Sequence, residues 1–322
     1  MERRHFLGGL AALPAAVLAT GALGRPAAAI AQRATARVIV DNDFAGDPDG
    51  LVALAHQVLS PKTRTVLVTS SCLDRKLAGM AGLDPLTTAA AGSGLARELL
   101  RRIDGPGTPP VLTGAEGFGS GGDGANAAAR AIVAEALRED PLPLFLTCGG
   151  PLTNVAAALR LAQAIAGRMT LVWIGGSVDG GLEYNLATDL AAARQVFEAS
   201  TLPVWQVPME EYRRFQVSVA ELNLDMAPIS PLSRWLCDQY GHLPPFVQLA
   251  GSLSFGDSPL VSLTAFDPAA NPFTDRAVRR IRDDGSGGEE IAGRQVRLYR
   301  GLDARLNLAD LAALLRTHAR RR

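Results

Sequence analysis

The sequence predicts an α/β fold: one open, mostly parallel sheet with helices on both faces. Two observations carry that expectation. Short β-branched runs alternate with stretches at helical spacing along most of the chain, the pattern of strands covered on both faces. A cluster of acids also stands where the first strand gives way to the first helix, and open α/β sheets bind ligands at the carboxyl ends of their strands.

Val38-Ile39-Val40 reads as the first strand, and Leu51 to Leu59 as the helix that follows it. Thr65 to Thr69 is the second strand, with a helix over Thr87 to Arg102. Pro110-Val111-Leu112 is followed by an Ala-rich helix from Ala125 to Leu137. Leu144 to Thr147 is followed by a helix from Leu152 to Ala164, and Thr170 to Ile174 by one near Asp189 to Ala199. Pro203 to Val207 closes the series. Residues 208–256 read as an irregular, helical insertion near the site, and Asp283 to Gly288 as a Gly-rich turn. Without an internal repeat or a linker, residues 32–322 form one domain.

Composition narrows the function classes. The 322 residues are 48% hydrophobic, which supports a large core and excludes a disordered chain. The 32 basic and 32 acidic side chains balance, so no nucleic-acid partner is expected, because phosphate neutralisation needs a basic surplus. Cys72, Cys148 and Cys237 are too scattered for a disulfide framework, and no two of the 4 histidines have metal-ligand spacing.

Residues 1–31 read as an address. Arg3-Arg4 precede an apolar stretch from Phe6 to Gly21, and small residues follow up to Ala31. That is a secretory signal, and the paired arginines resemble the twin-arginine type. Pro14 and several glycines break the apolar run, which argues against a membrane anchor. Cleavage after Ala29 or Ala31 is expected, leaving an exported, periplasmic protein with no membrane contact.

Chemistry concentrates in Asp41-Asn42-Asp43-Phe44-Ala45-Gly46-Asp47-Pro48-Asp49-Gly50, where 4 carboxylates fall within nine residues. So many anions repel unless something positive sits among them, and a hard cation such as Ca²⁺ takes oxygen ligands of this kind. The plainer alternative is a solvated turn in which Asp47 or Asp49 caps the helix.

This segment resembles the Asp-x-Asp-x-Gly-x-Asp-Asp signature of nucleoside hydrolases of the inosine–uridine-preferring type, with Pro48 between the last two acids. Thr147 to Asn154 is similar to the family's Thr-Gly-Pro-Leu-Thr-Asn segment. Ile174-Gly175-Gly176 with Glu183-Tyr184-Asn185 resembles its Met-Gly-Gly and Glu-Phe-Asn pair. Phe255 to Pro259 resembles its late His-Asp-Pro segment, and Leu298 to Leu315 its closing strand and helix. The resemblance spans nearly the whole chain after residue 31 and implies a Rossmann-like nucleoside hydrolase fold.

It implies Ca²⁺-dependent hydrolysis of the N-glycosidic bond of a nucleoside to free base and ribose. Asp43 would be both metal ligand and general base toward a metal-bound water. Asp49, the Gly149 carbonyl and Asp257 would be further ligands, with Asp41 a supporting acid. Asp47 would bind a ribose hydroxyl, and Glu183 and Asn185 would grip the 5′ and 3′ sides of the sugar. A homo-oligomer is implied as well. Physical chemistry agrees with these residue types: carboxylates stabilise an oxocarbenium-like ribose, and a cation acidifies its water.

Gly256 stands where the family often has a leaving-group histidine, and Leu73 where it has a ribose-binding Asn. Asp74, Tyr240 and His242 are the candidates to replace the histidine. The departures keep two alternatives open, a nucleoside- or ribose-binding protein with weak or lost catalysis and a hydrolase of a related N-riboside. Other polar features read as structure. His56 and Trp173 are taken as packing, Trp235 and Tyr240 as packing or base stacking, and Arg213-Arg214 as a solvated face. Gly119 to Gly124 lacks the Lys-Ser/Thr of a phosphate loop, and Ser70, Ser71 and Cys148 have no paired base.

Overall fold

The computed structural model describes residues 33–321, apart from 106, 120–125, 245–246 and 248–249. The expected signal at 1–31 and most of the glycine run at 119–124 lie outside the described residues.

An eight-stranded sheet runs in the order β3-β2-β1-β4-β5-β6-β10-β9. Its strands are β1 (Ala36–Asn42), β2 (Thr63–Ser70), β3 (Val111–Thr113), β4 (Leu144–Cys148), β5 (Thr170–Ile174), β6 (Val204–Val207), β9 (Phe273–Ile281) and β10 (Gly287–Tyr299). All neighbours pair in parallel except β9, which runs antiparallel to β10. The expected open, mostly parallel α/β sheet is therefore present. β1 is buried along its whole length. Val38 and Val40 pack into one core and Ile39 into the other, as the period of two requires for a strand covered on both sides.

The order reverses between β1 and β4, so the crevice at their carboxyl ends is the topological switch point. Asp41 pairs with Cys148 at the top of both strands, which brings the acidic loop after β1 beside the Gly149-Gly150 turn after β4.

Several expectations need correcting. The insertion after β6 is not only helical: β7 (Gln216–Ser218) and β8 (Ser252–Ser254) form a small antiparallel pair. Helices Arg75–Met80, Tyr184–Thr188 and Pro259–Ala265 are too short to show helical periodicity in sequence. The expected helix to Ala164 ends at Leu161 and continues as a 3-10 turn over Gln163–Gly167. Gly287 and Gly288 belong to β10 rather than to the turn before it.

Candidate active site

The acidic loop leaves β1 through a turn closed by the Gly46 amide donating to the Asp43 carbonyl (2.7 Å), and the first helix, Asp49–Leu59, starts at once. Pro48 occupies the cap position and makes no side-chain cap bond, so neither Asp47 nor Asp49 is the N-cap residue. A cavity of about 740 Å³ opens above the switch point. Asp43, Asp47, Asp49, Gly149, Glu183, Asn185 and Asp257 all line it. The structure thus brings these seven residues to one place. The volume falls in the ordinary range of small-molecule sites.

Asp41 is different. It is buried beneath the loop, where Thr69 Oγ1 (2.5 Å) and Asn154 Nδ2 (2.8 Å) donate to its Oδ1, and it does not reach the cavity. Burial raises its pKa to about 6 in spite of those donors. Asn154 also donates to the Ser70 carbonyl (3.3 Å), so the Thr-Asn pair after β4 serves the scaffold under the loop.

Electrostatics set the cavity floor apart. Burial pushes Asp43 well above the usual carboxylate range, and the charges of Asp47 and Asp49 push it further. Asp49 is raised by burial and by Asp257. Asp257 is raised by burial, and the Asn42 amide offsets this in part. Stripped of countercharge, the floor resists ionisation, which is the condition a bound cation relieves. Among the described residues no group of three or more acids, histidines or cysteines stands close enough, as placed, to hold a metal ion. The four aspartates of the cavity and the Gly149 carbonyl nonetheless offer hard oxygens, and Ca²⁺ takes oxygen ligands that include carboxylates, backbone carbonyls and water. The donor chemistry fits that ion.

Glu183 and Asn185 are firmly held. Glu183 Oε1 accepts from Tyr212 Oη (2.9 Å) and the Asn185 amide (3.2 Å), and its Oε2 from the amides of Gly176 (2.7 Å) and Leu186 (3.0 Å). Asn185 Nδ2 donates to the carbonyls of Ile174 (3.0 Å) and Gly149 (3.3 Å). Trp173, fully buried, donates its indole N–H to the Gly150 carbonyl (3.0 Å) and fixes the turn from below.

Of the leaving-group candidates, only His242 lines the cavity. Asp74 instead caps helix Arg75–Met80, accepting from the amides of Lys76 and Leu77. Tyr240 stacks on Phe255 with ring centres 5.6 Å apart. Its hydroxyl is buried without a partner, and the nearby acids Asp49, Asp47 and Asp257 reinforce burial in raising its pKa well above normal. Trp235 lies under the Arg102 guanidinium, 5.0 Å from its ring, so packing is its role. His56 is fully buried, with Nε2 3.0 Å from Asp310 Oδ2. Arg213 and Arg214 are both exposed, as expected of a solvated face; Arg213 also stands at the rim of the cavity, and Arg214 pairs with Glu211 (3.0 Å). Sequence reasoning also missed the apolar wall of Leu73, Leu77, Ala81, Leu83 and Leu95, because the short helix that supplies part of it leaves no periodic signal. A second cavity of about 120 Å³ below the β9–β10 hairpin contains no acid.

The raised carboxyls make a stability prediction. A carboxyl whose folded pKa exceeds its unfolded value, about 3.9, favours the folded state at low pH and loses that advantage as pH rises through the folded pKa. For Asp41 the loss is complete just above a pH of about 6. In chelator, urea unfolding should therefore show higher stability at pH 5 than at pH 7, by roughly 1–2 kcal/mol. Saturating Ca²⁺ should cancel or invert the difference, because it binds the ionised cavity acids.

Acids gathered at the switch point of a doubly wound sheet, above firmly held amide and carboxylate groups, form a polar cavity at the place where such sheets bind their ligands. Residues 38–247 match the family described as inosine-uridine preferring nucleoside hydrolase, and the chain belongs to that family. The pyrimidine-specific ribonucleoside hydrolase RihA of Salmonella arizonae is 31% identical over 114 residues, 34% of this chain and 36% of the relative. The match therefore spans about a third of the length of that curated relative. The crystal structure of an inosine-uridine preferring nucleoside hydrolase from Bacillus anthracis superposes with a TM-score of 0.64 at 15% identity, covering 87% of this chain and 99% of the other. A purine-preferring ribonucleoside hydrolase from Gardnerella vaginalis gives 0.60 at 16% identity, covering 89% and 100%. At these identities the two structures share the fold.

Proposed function

We propose that this chain hydrolyses the N-glycosidic bond of ribonucleosides to free base and ribose, with Ca²⁺ held by Asp43, Asp49, the Gly149 carbonyl and Asp257. One observation supports it most: acids from both ends of the chain meet at a single cavity and raise one another's pKa. When bound, the ion supplies a Lewis acid that acidifies water and anchors vicinal ribose hydroxyls.

The chain's own groups do the rest. Asp43 takes the proton of the attacking water as its oxygen bonds to the anomeric carbon and the bond to the base breaks. Asp47, the solvent-exposed acid of the loop, accepts from a ribose hydroxyl. Asn185, its Nδ2 committed to two carbonyls, is left to accept through Oδ1, and Glu183 receives the 5′ side beside Tyr212. The carboxylate floor stabilises the positive charge that develops on the sugar. The base rests on the apolar wall and leaves with a proton, for which His242 is the one histidine among the lining residues.

Ribose release from a panel of nucleosides and from p-nitrophenyl riboside, with and without chelator, tests this. Because Gly256 offers no proton donor and leaves that task to His242 alone, the activated riboside should react faster than inosine, by about 10²-fold or more if His242 gives no help. Equal rates would show that leaving-group help is intact. The same glycine favours the alternative of a nucleoside- or ribose-binding protein, which tight binding without turnover on any substrate would establish. Turnover of other N-ribosides alone would point to the related-substrate hydrolase.

Export by residues 1–31 is part of the proposal. Replacing Arg3 and Arg4 together by Lys should leave the protein in the cytoplasm, and unaltered export would refute a twin-arginine route. Self-association, implied by family resemblance, is tested by light scattering.

A further inference from the structure

Resting on the calcium reading above, we infer that Asn42 is the positioning residue that joins the two ends of the chain into one cation cage. Asn42 is the one amide between the first two acids of the loop, and it is 1% exposed. Its Nδ2 donates to Oδ2 of Asp257 at 2.7 Å, a buried contact across 215 residues of sequence. The donor engages one oxygen of Asp257, a residue that lines the cavity, and the other oxygen takes no part in that bond.

Two glycines make room for that carboxamide. A Cβ at residue 50 would stand 2.7 Å from Asn42 Oδ1 and 2.9 Å from its Nδ2. A Cβ at residue 149 would stand 2.3 Å from Nδ2 and 2.5 Å from Asp257 Oδ2. No side chain fits at either place without expelling the amide. Gly50 follows Asp49 directly, and Gly149 carries the carbonyl assigned to the ion. One neutral side chain therefore touches all three segments that supply ligands: the early loop, the turn after β4 and the turn holding Asp257. Being neutral, it organises the acids without adding a charge to a floor already crowded with them. A partner that orients a ligand in this way typically contributes 10–100-fold to metal affinity.

Calorimetric Ca²⁺ titration of the folded full chain tests the inference, with circular dichroism confirming the fold of each variant. Asn42→Ala should weaken Ca²⁺ binding about 10–100-fold. Gly50→Ala, which keeps Asn42 but expels its carboxamide, should weaken it similarly. The double variant should be no weaker than the single ones, because both act through the same group. Asn42→Ser, smaller and easily accommodated, gives the same direction of loss should Asn42→Ala not fold. At saturating Ca²⁺ the kcat of each variant should return to within a few-fold of the parent. Native affinity in the single variants, additive losses in the double one, or a kcat that calcium does not restore overturns the inference. A parent protein that takes up no Ca²⁺ instead overturns the calcium reading itself.

Discussion

Asp43→Asn should lower turnover of a nucleoside by about 10²–10⁴-fold, the range for removing a general base. Asp43 is 8% exposed and lines the cavity floor, and the Cβ position of Gly150 lies 3.1 Å from its carboxyl carbon, so the side chain has little freedom to be replaced by a shifted neighbour. Because the residue is also an assigned ligand, turnover must be measured at saturating Ca²⁺, where a loss of affinity alone would disappear. The same variant should unfold at higher urea in chelator than the parent. Burial and the charges of Asp47, Asp49 and Asp41 all raise the Asp43 pKa, so above that pKa its ionised form costs the metal-free fold stability. Opposite signs on activity and on metal-free stability are what a functional acid gives. A structural acid would lose both together, and full activity in Asp43→Asn would remove it from the mechanism.

Removal of divalent ions should abolish nucleoside hydrolysis, with Ca²⁺ restoring it, and should cost thermal stability. A ligand present at a hundred times its dissociation constant stabilises a fold by about 2.7 kcal/mol. For a chain of this size that corresponds to a midpoint shift of roughly 5 °C. Asp257→Ala should remove both the calcium-induced shift and the activity, since its carboxylate is the late-chain contribution to the floor. Turnover unaffected by exhaustive chelation would mean that the acids act without an ion. The raised carboxyl pKa values would then be the working state of the site rather than its metal-free one.

The sheet was legible because strands buried on both faces must be apolar and helices must keep their period. The acidic loop was legible because the spacing of carboxylates is written in one stretch. What stayed hidden depends on distant contacts. Nothing local marks Asn42 as the partner of Asp257, nor Gly50 and Gly149 as the walls around it. Helix Arg75–Met80 has under two turns and shows no stripe, so the apolar wall it helps to build was missed. Arg213 reads as solvated and is exposed, but charge alone does not show that it stands at the cavity rim. Tyr240 shows the reverse: an aromatic near the site was a candidate for base stacking, and Phe255 takes its ring instead.

The last helix, Ala304–Ala319, has a consequence for synthesis. Its Asn307 is fully buried and donates to the Ser258 carbonyl (2.9 Å) and to Ser262 Oγ (2.8 Å), which clamps the turn presenting Asp257. The acidic loop and Asp257 are both made before Asn307, so a fragment that stops short of Asn307 holds the acids but lacks the two bonds that clamp the turn.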